Sequence, residues 1–271
     1  MLPPVDGPSG MIHRVIDLLE RVRLFVLDMD GTIHIGGKLF PWTLPFLDRA
    51  KRSGREYVFL TNNSSKGPRG YEEMLKKMGI PSPMVFTSGE ATASRVIEKF
   101  GRVRVHVFGT DSLKRVFKDF GLEVVEDDPQ VLILGYDTTA TYEKIRKFAI
   151  FLRKGLPYIA THPDINCPSQ EGLIPDAGSF IELFRASTGR VPDEIVGKPN
   201  PQILLQLASR FGVSPEETAV IGDRLYTDIE LARRTGAVSI LVLSGETGRE
   251  DLENSPVKPD LVVENLSFIE P

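Results

Sequence analysis

Cysteine is almost absent. Cys167 is the only one in 271 residues, which excludes an intramolecular disulfide framework and any metal site built from several thiolates. It lies between Asn166 and Pro168 with no strand-to-elbow signal before it, so no nucleophilic role is assigned to it. Histidine is scarce as well: His13, His34, His106 and His162 are scattered without the spacing of a zinc site. No window reaches the roughly 18 apolar residues of a membrane span. The opening residues, MLPPVDGPSG, have neither the basic nor the apolar region of a secretion signal. A cytoplasmic protein with no membrane partner is expected. An excess of one charge is also missing, since 33 Lys and Arg face 37 Asp and Glu with the signs interspersed, for a net charge of −4. That leaves no basic footprint for a nucleic acid polymer, and any phosphate has to be bound by local groups. The 41% of hydrophobic residues are enough for a real core, in one large or two modest domains.

Residues 22–32, VRLFVLDMDGT, organise the rest. The apolar run from Leu24 to Leu27 reads as a strand buried on both faces, stopping at Asp28. Asp30 follows, and Gly31 and Thr32 turn the chain away. Two close carboxylates repel unless a cation or a proton intervenes. At the carboxyl end of a parallel strand, where open sheets bind ligands, they make a candidate Mg²⁺ site. Asp and Gly also dominate ordinary turns, so the pattern alone fits a plain strand-to-turn signal.

The following elements alternate. A short amphipathic helix over 11–21 feeds the first strand, a helix covers 43–53, and a strand at 57–60 ends in Thr61-Asn62-Asn63-Ser64-Ser65. This is a βαβ unit. The Thr61 hydroxyl and the backbone N–H groups of Thr61 to Asn63 suit phosphate oxygens, while Ser, Thr and Asn are equally at home capping the helix around 71–78. From about residue 83 a second set follows: helices at 90–100, 111–120 and 141–154, and strands at 103–108, 131–134 and 158–160, which argue for a second α/β unit. Two turn-rich stretches, 161–168 and 172–178, then suggest a long ordered loop. His162 within it reads either as a satisfied structural residue or as a substrate contact. Core-like material returns with helices at 179–187 and 201–211. Lys198 sits between them in Val-Gly-Lys-Pro, and a strand at 218–221 ends in Gly222-Asp223, with Asp228 five residues on. A helix at 229–235, strands at 238–242 and near 261–263, and a solvated acidic stretch from Glu246 to Glu253 complete the chain.

In this order, Asp28 with Asp30, Thr61, Lys198, and Asp223 with Asp228 resemble the haloacid dehalogenase superfamily of phosphotransferases, over nearly the whole chain from about 22 to 263. TNNSS, VGKPNP, GDRLYTDI and LVLSGET, with the insertion between the second and third motifs, resemble the NagD-type or p-nitrophenyl phosphatase-like branch. The resemblance implies a Rossmann-like, doubly wound parallel sheet as core (1–82 and 178–271) and an inserted, smaller α/β cap of the C2 type (83–177). It implies an Mg²⁺-dependent phosphatase of small phosphorylated metabolites. Asp28 would be the nucleophile and Asp30 the acid and base. Asp28, Asp223 and the Asp30 carbonyl would hold Mg²⁺, with Asp228 nearby. Thr61 and Lys198 would orient the phosphoryl group, and Asn62, Asn63, His162 and Asp164 would bind phosphate or substrate. A homodimer through the cap is a further expectation. At two positions the sequence departs from the branch pattern: Asn is common where His162 stands, and Gly where Asp176 stands. The alternatives are a dehalogenase, against which Asp30 and Asp223 argue, and a non-hydrolytic phosphate- or sugar-phosphate-binding regulatory module.

Overall fold

The structure, a computed structural model, describes residues 18–169 and 171–271. Most of the helix expected over 11–21 lies outside them. Strands are numbered along the chain: β1 (Leu24–Leu27), β2 (His34–Ile35), β3 (Lys38–Leu39), β4 (Glu56–Thr61), β5 (Val85–Thr87), β6 (Arg104–Phe108), β7 (Glu123–Val124) and β8 (Val131–Leu134). They continue with β9 (Tyr158–Ala160), β10 (Asn166–Ser169), β11 (Gly172–Pro175), β12 (Glu194–Ile195), β13 (Thr218–Gly222), β14 (Val238–Val242) and β15 (Leu261–Val263).

The chain divides into two compact units. One holds the chain up to Phe59 and again from Leu207, and the other is Leu60–Gln206. The stretch 83–177, set apart in the sequence, lies inside the second.

In the first unit parallel strands stand in the order β15-β14-β13-β1-β4. Every residue of β1 and β13 is buried, which is why both read as continuous apolar runs rather than alternating ones. The helix Thr43–Arg52 covers β1 with Phe46, Leu47 and Ala50, and Phe46 meets Phe25 edge-on at 5.4 Å. From β1 the chain moves outward to β4. From β13 it moves the other way, through β14 to β15. The winding therefore reverses between the neighbours β1 and β13, and the carboxyl ends of such a pair flank the ligand crevice of open α/β sheets.

In the second unit the parallel order is β12-β9-β8-β6-β7. Its core is aromatic: Phe148 stands 4.8 Å from Phe184 and 5.6 Å from Tyr158, centroid to centroid. The helix Tyr142–Arg153 starts on the Thr141 side chain, which accepts from Lys144 N–H.

Several features differ from the sequence expectation. The loop expected over 161–178 contains an antiparallel hairpin, β10 with β11. Both its strands are largely exposed, so no buried face left an alternating signature. The strands β5 and β12, of three and two residues, are too short to show a period. The helix expected at 229–235 is entered through a widened turn, Leu225–Ile229, in which Arg224 C=O accepts from both Asp228 N–H and Ile229 N–H, at 3.1 and 3.3 Å. Among the described residues no helix is long and apolar enough to cross a membrane.

Candidate active site

Asp28 follows directly on β1, and its N–H donates to Ile221 C=O of β13 at 2.9 Å. Asp223 follows directly on β13. The widened turn then brings Asp228 back, so that one carboxylate oxygen from each of Asp28, Asp223 and Asp228 lies within 4.8 Å of the others. Asp223 and Asp228 are buried. Burial first, then the charges of Asp28 and Asp228, push the Asp223 carboxyl up to about 8. Its Oδ2 accepts from Glu246 N–H at 2.7 Å, while its Oδ1 is buried without a hydrogen-bond partner. A buried, orphaned carboxylate oxygen beside two further carboxylates is the donor set of a hard divalent cation, and the site fits one.

The loops around the carboxylates are shaped to them. A Cβ at Gly245 would overlap the Asp223 carboxylate, so only glycine lets the loop after β14 close over it. Ser244 Oγ donates to Gly31 C=O at 2.7 Å and ties that loop to the turn after β1. In that turn the N–H groups of Thr32, Ile33 and His34 all point at Met29 C=O. Asp30 stands apart from the carboxylate trio: its side chain is 59% exposed, and His34 Nδ1 lies 3.5 Å from its Oδ1. Glu246, read from the sequence as plain surface, supplies the N–H that holds Asp223, and its carboxylate pairs with Arg224 at 2.8 Å. A backbone donor leaves no trace in residue type, so only the SGET motif pointed there.

The second unit gathers the other sequence candidates. Thr61, at the end of β4, is buried, and its Oγ accepts from Asn63 N–H at 3.1 Å, which leaves its own proton to donate. The Asn62 side chain is fully engaged: Oδ1 accepts from Lys198 N–H at 2.8 Å, and Nδ2 donates to Lys198 C=O at 3.0 Å and to Asp164 Oδ1 at 3.1 Å. Asn63 Oδ1 accepts from Ser65 N–H and Oγ–H, and its Nδ2 approaches Cys167 Sγ at 3.6 Å. Lys198 is buried.

His162 has no exposed surface, and both its ring nitrogens face protein groups: Asp176 Oδ1 at 2.8 Å from Nε2, and Thr161 Oγ at 2.8 Å from Nδ1. Burial opposes its charge, but Asp176 and then Asp164 outweigh burial and Lys198, and its pKa is raised. Asp176, noticed in the sequence only as a departure from the branch pattern, is thus the partner of the other departure. The two lie 14 residues apart across a hairpin, and no periodicity connects them.

A parallel α/β sheet with three carboxylates at its winding reversal defines an α/β protein with a divalent-cation site at its strand ends. Residues 25–123 match the family model for haloacid dehalogenase-like hydrolases, and residues 195–268 the model described as HAD-hydrolase-like. The chain is 31% identical to the 5'-nucleotidase YutF of Bacillus subtilis, over 90% of this chain and 95% of that one. Its structure is similar to that of a 4-nitrophenylphosphatase from Thermotoga maritima, with 50% identity, a TM-score of 0.89 and coverage of 92% and 96%. It is also similar to a putative nagD protein, with 48% identity, a TM-score of 0.87 and coverage of 92% and 98%. The chain belongs to the haloacid dehalogenase-like hydrolases, as a phosphatase of the NagD type.

Proposed function

We propose that the protein is an Mg²⁺-dependent phosphomonoester hydrolase working through an aspartyl-phosphate. The observation that carries this reading is the carboxylate trio at the β1/β13 reversal, with its unbonded Asp223 Oδ1. An Asp28 carboxylate oxygen attacks phosphorus, the ester P–O bond breaks, and the leaving alkoxide takes a proton from Asp30. Asp30 then removes a proton from water, whose oxygen attacks the same phosphorus, releasing orthophosphate and restoring Asp28. Asp28, Asp223 and the Asp30 carbonyl, with Asp228 nearby, would hold Mg²⁺. When bound, the ion supplies charge neutralisation for the carboxylates and the phosphoryl oxygens. Lys198 and the Thr61 hydroxyl neutralise and orient those oxygens, since phosphoryl transfer is mostly positioning and charge stabilisation.

Residues 83–177 serve as a cap that selects the leaving group, with Asp164 contacting the substrate. Candidate substrates are sugar phosphates and, in keeping with the names of the similar proteins, aryl phosphates and nucleoside monophosphates. A cytoplasmic location and a homodimer through the cap complete the reading, the dimer being checked by sedimentation.

The test is phosphate release from 4-nitrophenyl phosphate and a metabolite panel, with Mg²⁺ and with chelator, beside Asp28→Asn. Turnover that needs Mg²⁺ and vanishes in the variant supports the reading. A wild type that releases nothing from any of these esters overturns it.

A further inference from the structure

Within the second unit one closed circuit of hydrogen bonds contains a buried histidine–aspartate pair. His162 Nε2–H donates to Asp176 Oδ1 at 2.8 Å. Asp176 N–H donates to Ile165 C=O at 2.9 Å, and Gly178 N–H to Asp164 C=O at 2.7 Å, so the start of the helix Ala177–Thr188 grips the turn that carries Asp164. The Asp164 carboxylate accepts from Asn62 Nδ2. Ser88 Oγ, 3.5 Å from His162 Nδ1, donates to Asn62 C=O and closes the circuit. Thr161 Oγ, 2.8 Å from the same nitrogen, carries it on to Ser64 Oγ at 3.0 Å. Asn62 also brackets the Lys198 peptide on both sides. A Cβ at Gly197 would stand 2.6 Å from Asn62 Oδ1 and 2.9 Å from His162 Cβ, so the chain leading from β12 to Lys198 passes between them with no space left over.

We infer that His162 and Asp176 are positioning residues, which brace the Asp164 turn and, through Asn62, fix the backbone of Lys198 for phosphoryl binding. The inference rests on the phosphatase reading and deepens it. Neither side chain touches substrate. A buried charged pair linked to a polar network holds one geometry, because each member left without its partner is costly in a low-dielectric interior. The charged groups facing the imidazole are Asp176 at the helix start, Asp164 in the turn and Lys198 beyond β12, and the two carboxylates outweigh the lysine and the burial. With both nitrogens protonated, the ring donates to Asp176 and to Thr161 together. Once deprotonated at Nδ1 it still donates to Asp176, but the Thr161 hydroxyl then donates to Nδ1 instead of accepting from it, and the positive charge facing Asp176 is gone.

Two variants separate positioning from simple packing. Asp176→Asn keeps an oxygen to cap the helix but removes the charge. His162→Gln keeps an N–H for Asp176 but does not titrate. Steady-state kinetics with 4-nitrophenyl phosphate and Mg²⁺ from pH 5 to 9, with melting temperatures alongside, read the outcome. The wild type is expected to lose kcat/KM as pH rises past the ordinary histidine range. In Asp176→Asn that limb moves down by about one unit, and kcat/KM falls by about tenfold or more. In His162→Gln the limb disappears. Variants that keep the wild-type limb, or losses that only track melting temperature, overturn the inference while leaving the phosphatase reading standing. A wild type inactive on every ester overturns both. If Asp176→Asn does not fold, the ¹⁵N shifts of wild-type His162 carry the test: an imidazolium persisting above about pH 6.5 is expected, and a ring already neutral below it overturns the inference.

Discussion

The Asn62 side chain grips the Lys198 peptide from both sides, accepting from its N–H at 2.8 Å and donating to its C=O at 3.0 Å, across 136 residues of sequence. The remaining proton of the amide goes to Asp164. Asn62→Asp keeps the acceptor, removes both donors, and sets a second carboxylate against Asp164. A lysine displaced by about 1 Å can cost roughly 10²-fold in rate. A drop in kcat/KM of about that size is expected, measured by steady-state hydrolysis of 4-nitrophenyl phosphate. Kinetics within about twofold of wild type would mean that Lys198 holds its place without the amide.

Asp28→Asn tests chemistry and stability together. Hydrolysis is expected to fall by about 10³-fold or more, because an amide neither attacks phosphorus nor leaves as a carboxylate. The metal-free variant should melt higher than metal-free wild type, since one of three crowded carboxylates is gone. Calorimetry with chelator present reads this directly, and a lower melting temperature would count against mutual repulsion in the site.

The pH dependence of metal-free stability follows from Asp223. Its carboxyl is raised in the fold to about 8, against roughly 3.9 in an unfolded chain. The folded state therefore favours the protonated form. The stability this contributes is complete below the unfolded value and is lost as pH rises through about 8. The gain in melting temperature on adding Mg²⁺ should accordingly grow from pH 5 to pH 8. A gain that is flat across that range would contradict the assignment.

Gly245→Ala forces a methyl group onto the Asp223 carboxylate. Overpacking of this kind costs about 1–3 kcal/mol. Here the displaced group is also a cation ligand in the proposed site, so both a lower melting temperature and weaker Mg²⁺ binding are expected, read by calorimetric titration. Wild-type affinity in a folded Gly245→Ala protein would show that the loop after β14 is not what fixes Asp223.

Much of the first unit was legible because its chemistry lies at the ends of long buried strands. β1 and β13 are uninterrupted apolar runs, and each stops at an aspartate, Asp28 and Asp223, so the period and the breakpoint stand in the residues themselves. Asp228 was legible by proximity to Asp223, although the widened turn that returns it to the site was not: residue types in Leu225–Ile229 do not distinguish that turn from an ordinary helix start. Glu246 was read as surface because its side chain faces solvent and pairs with Arg224, while its contribution to Asp223 is a backbone N–H.

The sequence by itself determined the alternation of strands and helices, the strand ends that carry Asp28, Thr61 and Asp223, and the setting of Lys198 between glycine and proline. These are local properties, fixed by hydrophobic period and turn chemistry within a few residues. The tertiary structure alone decided that Asp28 and Asp223 end neighbouring strands, that Asn62 holds Lys198, and that His162 is buried against Asp176. Those are pairings between distant segments, set by strand order and by the need to satisfy each buried polar group, and neither leaves a period in the chain.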